Sequence, residues 1–266
     1  MKKQPIGVFD SGLGGLTILN ALRRTLPHED LIYFGDTANV PYGSKSRAAV
    51  TRFSLAIARF LQERGVKLIV VACNTASALA LEELRKQCAV PVLGVIEPGA
   101  EKAVQTTRNK CIAVLGTEGT IKSAAYAKAI AKRNKQIRVV QQACPLFVPL
   151  VEENWTHKPA ARLIAQEYLA PVKKSGADTV ILGCTHYPIL KSMLARLLGR
   201  SVRLVDSADT LAAAVQTFLQ EHKQAEISGK GKVHLFASDD TTRFKKMASM
   251  LMDEKVSAVQ LKKLNV

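Results

Sequence analysis

Two cysteines stand at equivalent places in two similar stretches of this sequence. Residues 68–72 form an apolar run, mostly β-branched, that ends at Cys73, and a helix is predicted to begin at once with Asn74 or Thr75 as its cap. A second such run, residues 179–183, ends at Cys184. A thiol at the carboxyl end of a strand, beside a helix start, lies where a thiolate can be stabilised. The two cysteines, 111 residues apart, therefore indicate a chain built from two similar parts.

A pair of thiols that face each other across a cleft can do redox chemistry, bind a metal ion or transfer protons. Redox chemistry needs the two sulfur atoms close enough to bond, and nothing in the local sequence brings them together. A metal ion needs three or four ligands, and the sequence near the cysteines offers His186 and a few carboxylates. Proton transfer fits best, because inversion of an amino acid α-carbon needs two chemically similar acid–base groups on opposite faces.

Each thiol needs polar help, because a free cysteine is only a few per cent thiolate at neutral pH. His186 follows Cys184 by two residues, and Asp10 ends a neighbouring strand in the first part of the chain. We expect these two side chains to assist the cysteines.

An alternation of strands and helices is predicted to position the two cysteines. Strands are predicted at residues 6–9, 31–34, 67–71 and 90–95, with helices between them, which is typical of a parallel sheet covered on both faces. The same order returns at residues 112–115, 137–142, 179–182 and 202–205. The predicted fold class is therefore α/β, with two pseudo-symmetric flavodoxin-like lobes whose parallel sheets face each other across a cleft.

The end of the chain, from residue 207, belongs to neither repeat. Helices are predicted at residues 211–222 and 241–252, strands at 232–237 and 256–261, and the loosest linker at 221–232. We expect this tail to complete the first lobe, so that residues 1–97 plus 207–266 carry Cys73. Residues 98–206 then form the second lobe and carry Cys184.

The composition is that of an ordinary globular protein. The chain has 266 residues, 47% of them hydrophobic, and five cysteines without a C-x-x-C pair, which argues against a disulfide framework or a zinc site. No apolar run approaches the ~18 residues that span a membrane. The chain reaches Asp10 before a signal-peptide core could form, so we expect a cytoplasmic protein.

The chain is strongly basic, with 38 Lys and Arg residues against 22 Asp and Glu residues and a net charge of +16. Residues 122–138 contain six basic side chains and no acidic one. This pattern favours a solvated helix face, with steering of an anionic substrate and nucleic-acid contact as alternatives. Aromatic side chains are scarce in the segment, so recognition of bases by stacking is not predicted.

A glycine-rich turn follows the first strand. Gly12, Gly14 and Gly15 occupy it, but their spacing matches neither the dinucleotide-binding nor the phosphate-loop pattern. The alternative role for these glycines is to let the backbone approach a small ligand closely.

Five motifs in this order resemble those of bacterial glutamate racemases, in the aspartate/glutamate racemase superfamily. They begin at Asp10 (DSGLGGL), Pro41 (PYG), Ala72 (ACNT), Ala143 (ACPLFV) and Gly183 (GCTHYP). The resemblance implies a cofactor-independent, metal-free racemase that converts L-glutamate to D-glutamate by a two-base mechanism and supplies D-glutamate for peptidoglycan. An aspartate or hydantoin racemase on the same fold is the alternative.

The resemblance also implies roles for individual residues. Cys73 acts on D-glutamate with help from Asp10, and Cys184 acts on L-glutamate with help from His186 and Glu152. The implied substrate contacts are Asp10, Ser11, Tyr42, Gly43, Asn74, Thr75, Thr185 and His186. Their hydroxyl, amide and backbone N–H groups suit the two carboxylates of glutamate.

The partners implied are the small-molecule substrate and a second copy of the chain in a homodimer. Some members of the resembled family act on DNA gyrase. The sequence has no helix-turn-helix, zinc-finger or RNP-like pattern, so contact with gyrase or nucleic acid is not expected, nor is contact with a membrane.

Overall fold

Strands and helices alternate along the computed structural model, which describes residues 3–265. The strands of this part of the chain are β1 (Ile6–Asp10), β2 (Leu31–Gly35), β3 (Leu68–Val71), β4 (Val92–Gly94), β5 (Cys111–Gly116), β6 (Arg138–Ala143), β7 (Thr179–Gly183), β8 (Arg203–Asp206), β9 (Val233–Ala237) and β10 (Gln260–Leu261). The α-helices are α1 (Leu16–Thr25), α2 (Arg47–Glu63), α3 (Asn74–Leu79), α4 (Leu81–Gln87), α5 (Ile96–Thr106), α6 (Glu118–Ser123), α7 (Ala125–Arg133), α8 (Phe147–Glu152), α9 (Pro159–Ser175), α10 (Lys191–Leu198), α11 (Ser207–Glu221) and α12 (Thr241–Leu251). Short 3-10 turns occupy Tyr42–Ser44 and Tyr187–Leu190.

The strands form two sheets in which every neighbouring pair is parallel. The first sheet has the order β10-β9-β2-β1-β3-β4, and the second has the order β6-β5-β7-β8. The stretch β2-β1-β3-β4 of the first sheet therefore repeats, strand for strand, as the second sheet. The predicted α/β fold with two similar parallel sheets is confirmed.

The repeat places both cysteines at the carboxyl edge of a sheet. Strand β3 pairs with β1 in the first sheet, and β7 pairs with β5 in the second. Every residue of β3 and β7 is buried, as expected for central strands of a parallel sheet with helices on both faces. Cys73 lies two residues beyond β3, and Cys184 follows β7 directly.

One apolar core joins the two halves of the molecule. It contains Leu19 of α1, Ile96 of α5 and Leu211 of α11, together with strand residues of both sheets such as Val70 and Ile181. Helix α11 packs on both α1 and α5. The two sheets are therefore connected by buried hydrophobic contacts as well as by the chain.

The tail adds strands β9 and β10 to the edge of the first sheet, because β9 pairs with β2 and β10 pairs with β9. The lobe boundaries given above remain predictions. The strand predicted at 256–261 is wrong at residues 256–259, since the chain pairs with β9 only at Gln260 and Leu261.

The helix predicted to begin directly after Cys73 is divided into two in the structure. Helix α3 begins at Asn74, and the helical path is interrupted at Ala80, whose φ of −120° lies outside the helical range. The interruption precedes Leu81 and Leu84, which are both buried in the core of the first sheet.

The segment predicted as the loosest linker is held by specific contacts. The Lys67 Nζ atom donates to the Gln224 carbonyl at 2.6 Å and lies 2.8 Å from a carboxylate oxygen of Glu29. The other carboxylate oxygen of Glu29 accepts the backbone N–H of Glu226 at 2.8 Å. This linker is therefore tied to the body of the first sheet.

The basic segment 122–138 runs from the end of α6 through α7 to the start of β6. Its six basic side chains lie at the surface, where Lys122 pairs with Glu118 and Arg133 pairs with Glu101. No helix between residues 3 and 265 combines the length and the apolar character needed to cross a membrane.

Candidate active site

Both cysteines of the repeated motif line one cavity of about 380 Å³ between the two sheets. Cys73 and Cys184 are largely buried, with 5% and 6% of their surface exposed. The predicted residues that also line this cavity are Ser11, Tyr42, Gly43, Asn74, Thr75, Glu152, Thr185 and His186. The cavity thus brings together all the residues singled out from the sequence except Asp10.

Cys73 caps the helix that follows it. Its Sγ atom accepts the backbone N–H of Ala76 at 3.5 Å and lies 3.7 Å from the Ser11 hydroxyl. The cap is therefore the cysteine itself, and not Asn74 or Thr75 as predicted. Burial, together with the negative charge of Asp10, raises the pKa of the Cys73 thiol to about 12. Cys73 is consequently a neutral thiol at neutral pH.

Cys184 lies beside a histidine that is itself paired with a carboxylate. The Nδ1 atom of His186 is 3.7 Å from the Cys184 sulfur, and its Nε2 atom is 3.1 Å from Oε1 of Glu152. Burial by itself lowers the pKa of His186, but the hydrogen bonds to Cys184 and Glu152 outweigh it and raise the pKa to about 10. The Cys184 sulfur therefore lies beside an imidazolium ion.

Glu152 is the anionic end of this group. Burial opposes ionisation of its carboxyl, but the hydrogen bond from His186 outweighs burial and lowers the pKa of Glu152. Its neighbour Glu153 also lines the cavity, but pairs instead with Arg243 of α12 at 3.2 Å. Of the two neighbouring carboxylates, Glu152 is thus the one that contacts the histidine.

Asp10 lies behind the cavity wall and is fully buried. One carboxylate oxygen accepts the Gly12 N–H at 3.0 Å, and the other accepts the Thr185 hydroxyl at 3.4 Å. Burial raises the pKa of Asp10, and the charge of His186 and the Gly12 N–H partly offset this rise. Asp10 therefore connects the first β–α turn to the motif that contains Cys184.

The glycine-rich turn makes room for protein side chains. A β-carbon at Gly14 would lie 2.6 Å from Nδ1 of His186, and one at Gly15 would lie 2.6 Å from the Tyr33 hydroxyl. In the same way, a β-carbon at Gly43 would lie 2.7 Å from the β-carbon of Thr117. Glycine at positions 14 and 43 allows the two halves to approach closely around the cavity, and glycine at position 15 allows close packing within the first half. The alternative role considered from the sequence was a close approach of the backbone to a ligand.

Neutral donors surround the cavity. The Tyr42 hydroxyl donates to Asp36 at 2.6 Å and is therefore not free to bind a ligand. Tyr42 and Gly43 instead provide the first backbone N–H groups of a 3-10 turn at the cavity. Asn74 and Thr75 likewise occupy the first turn of α3. Such N–H groups and hydroxyls can bind carboxylates without a fixed cation. The acidic side chains of Glu118 and Glu152, which also line the cavity, suit an ammonium group.

Sequence reasoning missed several lining residues, among them Thr117 and Glu118. The Thr117 hydroxyl lies 2.9 Å from the Thr75 hydroxyl and 3.0 Å from that of Thr120, which links the two halves at the cavity wall. A signal for Thr117 was present, because the repeat relates residues 6–14 to residues 112–120 and thereby relates Ser11 to Thr117.

A larger open cavity of about 680 Å³ lies along β8 and the end of α5, and neither catalytic candidate lines it. The cavity is bordered by exposed basic side chains, among them Lys102, Arg108 and Arg200. Within residues 3–265, no three His, Cys, Asp or Glu side chains are grouped so that they could hold a metal ion.

Comparisons with known proteins agree with this geometry. The family model for Asp/Glu/Hydantoin racemase matches residues 15–215. The glutamate racemase of Geobacter metallireducens is 50% identical over 260 residues, which make up 97% of this chain and 96% of that protein.

Solved structures show the same fold. Glutamate racemase isoform RacE1 from Bacillus anthracis matches with a TM-score of 0.96 and 35% identity, over 99% of this chain and 98% of that chain. The glutamate racemase from Francisella tularensis, solved in complex with D-glutamate, matches with a TM-score of 0.93 and 36% identity, over 99% and 98% of the two chains.

Proposed function

The chain belongs to the Asp/Glu/Hydantoin racemase family, and on this premise we propose that it interconverts L- and D-glutamate with Cys184 and Cys73 as the two acid–base groups. Its relatives over nearly the whole chain are glutamate racemases, so the chain is an amino acid racemase and glutamate is its substrate. The assignment of the two bases rests on one observation. Cys73 and Cys184 follow equivalent strands of two similar sheets, and both line the same cavity.

In the direction from L- to D-glutamate, Cys184 acts as the base. The imidazolium of His186, held by Glu152, stabilises the Cys184 thiolate, which removes the proton from the α-carbon. The Cys73 thiol then gives its proton to the other face of that carbon. Substrate and product carry the same number of protons, and the enzyme is left with a Cys184 thiol and a Cys73 thiolate.

In the reverse direction the two cysteines exchange roles. Cys73 is the base for D-glutamate, and its thiolate is stabilised by the Ala76 N–H and the Ser11 hydroxyl. The buried charge of Asp10 favours the protonated thiol of Cys73, so Asp10 assists Cys73 in the forward direction, where Cys73 is the acid. Because the thiols supply both acid and base, the reaction needs neither a metal ion nor an organic cofactor.

The substrate is held by the neutral donors of the cavity wall. We assign this role to Ser11, Tyr42, Gly43, Asn74, Thr75, Thr185 and His186, all of which line the cavity. Asp10 does not line the cavity. It acts on the substrate through Thr185, because its carboxylate accepts a hydrogen bond from the Thr185 hydroxyl. Backbone N–H groups and hydroxyls in a site closed to water bind carboxylates strongly.

The decisive experiment is racemisation by the purified chain, followed by circular dichroism with L-glutamate and then with D-glutamate. We expect activity in both directions, unchanged by a chelator. L-aspartate and a substituted hydantoin serve as competing substrates, since both belong to reactions of this family. Activity that disappears with the chelator, or that is greater with either competitor, would contradict the proposal.

The cellular setting follows from the reaction. D-glutamate is a component of bacterial peptidoglycan, and a cytoplasmic homodimer that supplies it is our proposal for the working state of the protein. The surface segment 122–138 gives at most weak, non-specific contact with DNA, because no base-reading pattern accompanies its charge. Such binding would fade steeply between about 50 and 200 mM salt.

A further inference from the structure

The Asn74 side chain has two polar groups, one with a hydrogen-bond partner in the described chain and one without a partner. Its Oδ1 atom accepts a hydrogen bond from the Tyr126 hydroxyl at 2.7 Å. Its Nδ2 group is buried and has no hydrogen-bond partner in the described chain. Asn74 is only 2% exposed, and it lines the cavity next to Cys73. A buried amide donor without a partner is costly, so it is expected to serve a ligand.

Tyr126 comes from the other half of the molecule. It lies in α7, is 1% exposed, and is not among the residues that line the cavity. Its ring packs against two glycines: a β-carbon at Gly99 or at Gly183 would lie 3.3 or 3.2 Å from ring atoms. Gly183 immediately precedes Cys184, so the Tyr126 ring packs against the strand end that carries the second thiol.

A second hydroxyl holds the strand that carries Cys184. Ser207, the first residue of α11, donates to the Leu182 carbonyl at 3.0 Å. Leu182 lies in β7, two residues before Cys184. Tyr126 gives its one hydroxyl proton to Asn74, so it is the Tyr126 hydrogen bond that reaches the residue after Cys73.

We propose that Tyr126 is a positioning residue for the racemase reaction: its hydroxyl holds the Asn74 amide so that Nδ2 faces the cavity and donates to a carboxylate of the substrate. The same hydrogen bond ties the helix start that follows Cys73 to the half of the molecule that carries Cys184. This inference rests on the proposed function, because it requires a substrate with a carboxylate in the cavity. Tyr126 acts through Asn74 and does not touch the substrate.

The chemistry of the pair determines the orientation of the amide. A tyrosine hydroxyl that donates to Oδ1 identifies that edge of the planar amide as the acceptor and leaves the NH₂ group at the other edge as a donor. Burial raises the pKa of Tyr126, so the hydroxyl keeps its proton throughout the working pH range. Without this donor, Oδ1 would be buried and unpaired, and the amide would lose its preference for the orientation that serves the ligand.

The test is the substitution Tyr126→Phe, which keeps the ring against Gly99 and Gly183 and removes only the hydroxyl. We expect KM for both enantiomers to rise roughly 10- to 100-fold, as for loss of one oriented hydrogen bond to a charged group, with kcat within about threefold of wild type. Calorimetric titration with D-glutamate should show an equal loss of affinity. The matched control is Tyr168→Phe, a tyrosine of α9 in the same half whose hydroxyl accepts the Leu146 N–H away from the cavity.

A double-mutant cycle separates positioning from a general structural effect. If Tyr126 acts through Asn74, Tyr126→Phe in an Asn74→Ala background should raise KM no further, whereas independent effects would multiply. Thermal unfolding shows whether each variant is folded. If Tyr126→Phe is less stable, its kinetics are measured at a temperature where thermal unfolding shows it to be folded, and an unchanged KM there counts against the inference.

The outcomes for Tyr126 and for the proposed function are distinct. A wild-type chain that neither racemises nor binds glutamate overturns both. A wild-type chain that is active, with Tyr126→Phe indistinguishable from Tyr168→Phe in KM and affinity, overturns only the role of Tyr126. The role of Tyr126 would also be overturned if Tyr126→Phe lowered kcat and thermal stability together and if its effect on KM multiplied with that of Asn74→Ala in the double mutant.

Discussion

His186 contacts Glu152 and Cys184 through opposite ring nitrogens, at 3.1 Å and 3.7 Å. Among the described residues 3–265, Cys73 has no such partner, and its sulfur hydrogen-bonds with a hydroxyl and a backbone N–H. The two halves therefore repeat the position of the thiol but differ in its electrostatic surroundings. In the proposed mechanism, the charged group beside Cys184 serves the base for L-glutamate, and the buried thiol of Cys73 serves as the acid.

The ion pair of His186 and Glu152 predicts a pH-dependent stability. The pKa of His186 is raised from 6.5 to about 10, so its contribution to stability is complete below pH 6.5 and is lost as the pH rises through about 10. On the acid side, the lowered pKa of Glu152 means that its contribution is present above pH 4.5 and is lost as the pH falls through that lowered value.

Glu152→Gln should therefore lower the free energy of unfolding most near pH 6.5 and least above pH 10, as measured by urea denaturation. Its kcat/KM should fall equally in both directions, because Cys184 is the base in one direction and the acid in the other and the equilibrium constant of a racemisation is one. Glu153→Gln is the matched control, because Glu153 is the neighbouring carboxylate and its partner is Arg243. A stability difference for Glu152→Gln that stays constant over this pH range would argue against the ion pair.

The two cysteines predict two complementary half-reactions. Cys73→Ser and Cys184→Ser should each reduce racemisation by roughly 10²- to 10⁴-fold, because a serine hydroxyl is a far weaker acid–base group. Each variant keeps the other thiol. In deuterated water, Cys73→Ser should still exchange the α-proton of L-glutamate, and Cys184→Ser should still exchange that of D-glutamate, as followed by proton NMR.

Cys88→Ser is the control for this pair, because Cys88 is only partly buried and does not line the cavity. Its racemisation should match that of the wild type. Substantial racemisation in either Cys73→Ser or Cys184→Ser would show that the cysteine concerned is not one of the two bases.

The close approach of Gly14 to the second half predicts a severe effect of one methyl group. In Gly14→Ala the new β-carbon would lie 2.6 Å from Nδ1 of His186, so the histidine or the turn must move. A displacement of about 1 Å at a catalytic group can cost roughly 10²-fold in rate, and we expect a loss of kcat of at least this size. Steady-state kinetics with both enantiomers provides the measurement.

Gly12→Ala tests whether this effect is specific. Gly12 lies in the same turn, but its added β-carbon would meet only Val40, at an ordinary contact distance of 3.4 Å. We expect Gly12→Ala to retain most of the activity. Similar losses in the two variants would mean that the turn tolerates no side chain for reasons unrelated to His186.

The duplicated fold was predictable because it depends on short-range patterns. Apolar β-branched runs that end at Cys73 and Cys184 specify buried parallel strands, and their repetition specifies two similar sheets. Motifs of contiguous residues led to most of the cavity lining. The position of Thr117 was also encoded, but only through its relation to Ser11 in the repeat.

The remaining features depend on contacts between residues far apart in the chain. The hydrogen bond between Tyr126 and Asn74 joins residues 52 positions apart, and nothing local marks Tyr126 as a polar partner. The Lys67 side chain likewise holds a segment 157 residues away, at Gln224, where the composition had indicated a loose linker. The cap formed by Cys73 was missed because a thiol is an uncommon capping group.

The buried pair of Lys67 and Glu29 predicts a large effect on stability without an effect on chemistry. Its side chains are only 6% and 1% exposed, with 2.8 Å between Lys67 Nζ and Glu29 Oε2. Removing one partner leaves an uncompensated buried charge, so Lys67→Met should lower the free energy of unfolding by about 3–5 kcal/mol.

The matched control is Lys86→Met, because the pair of Lys86 and Glu83 is solvent-exposed and such pairs contribute at most about 1 kcal/mol. Urea denaturation of both variants at one pH provides the comparison. The Lys67→Met protein should keep its kcat at temperatures where it is folded, since neither Lys67 nor Glu29 lines the cavity. Equal stabilities of the two variants would mean that the contacts of Lys67 with Glu29 and Gln224 contribute little, and that segment 221–232 is held to the first sheet by its other contacts.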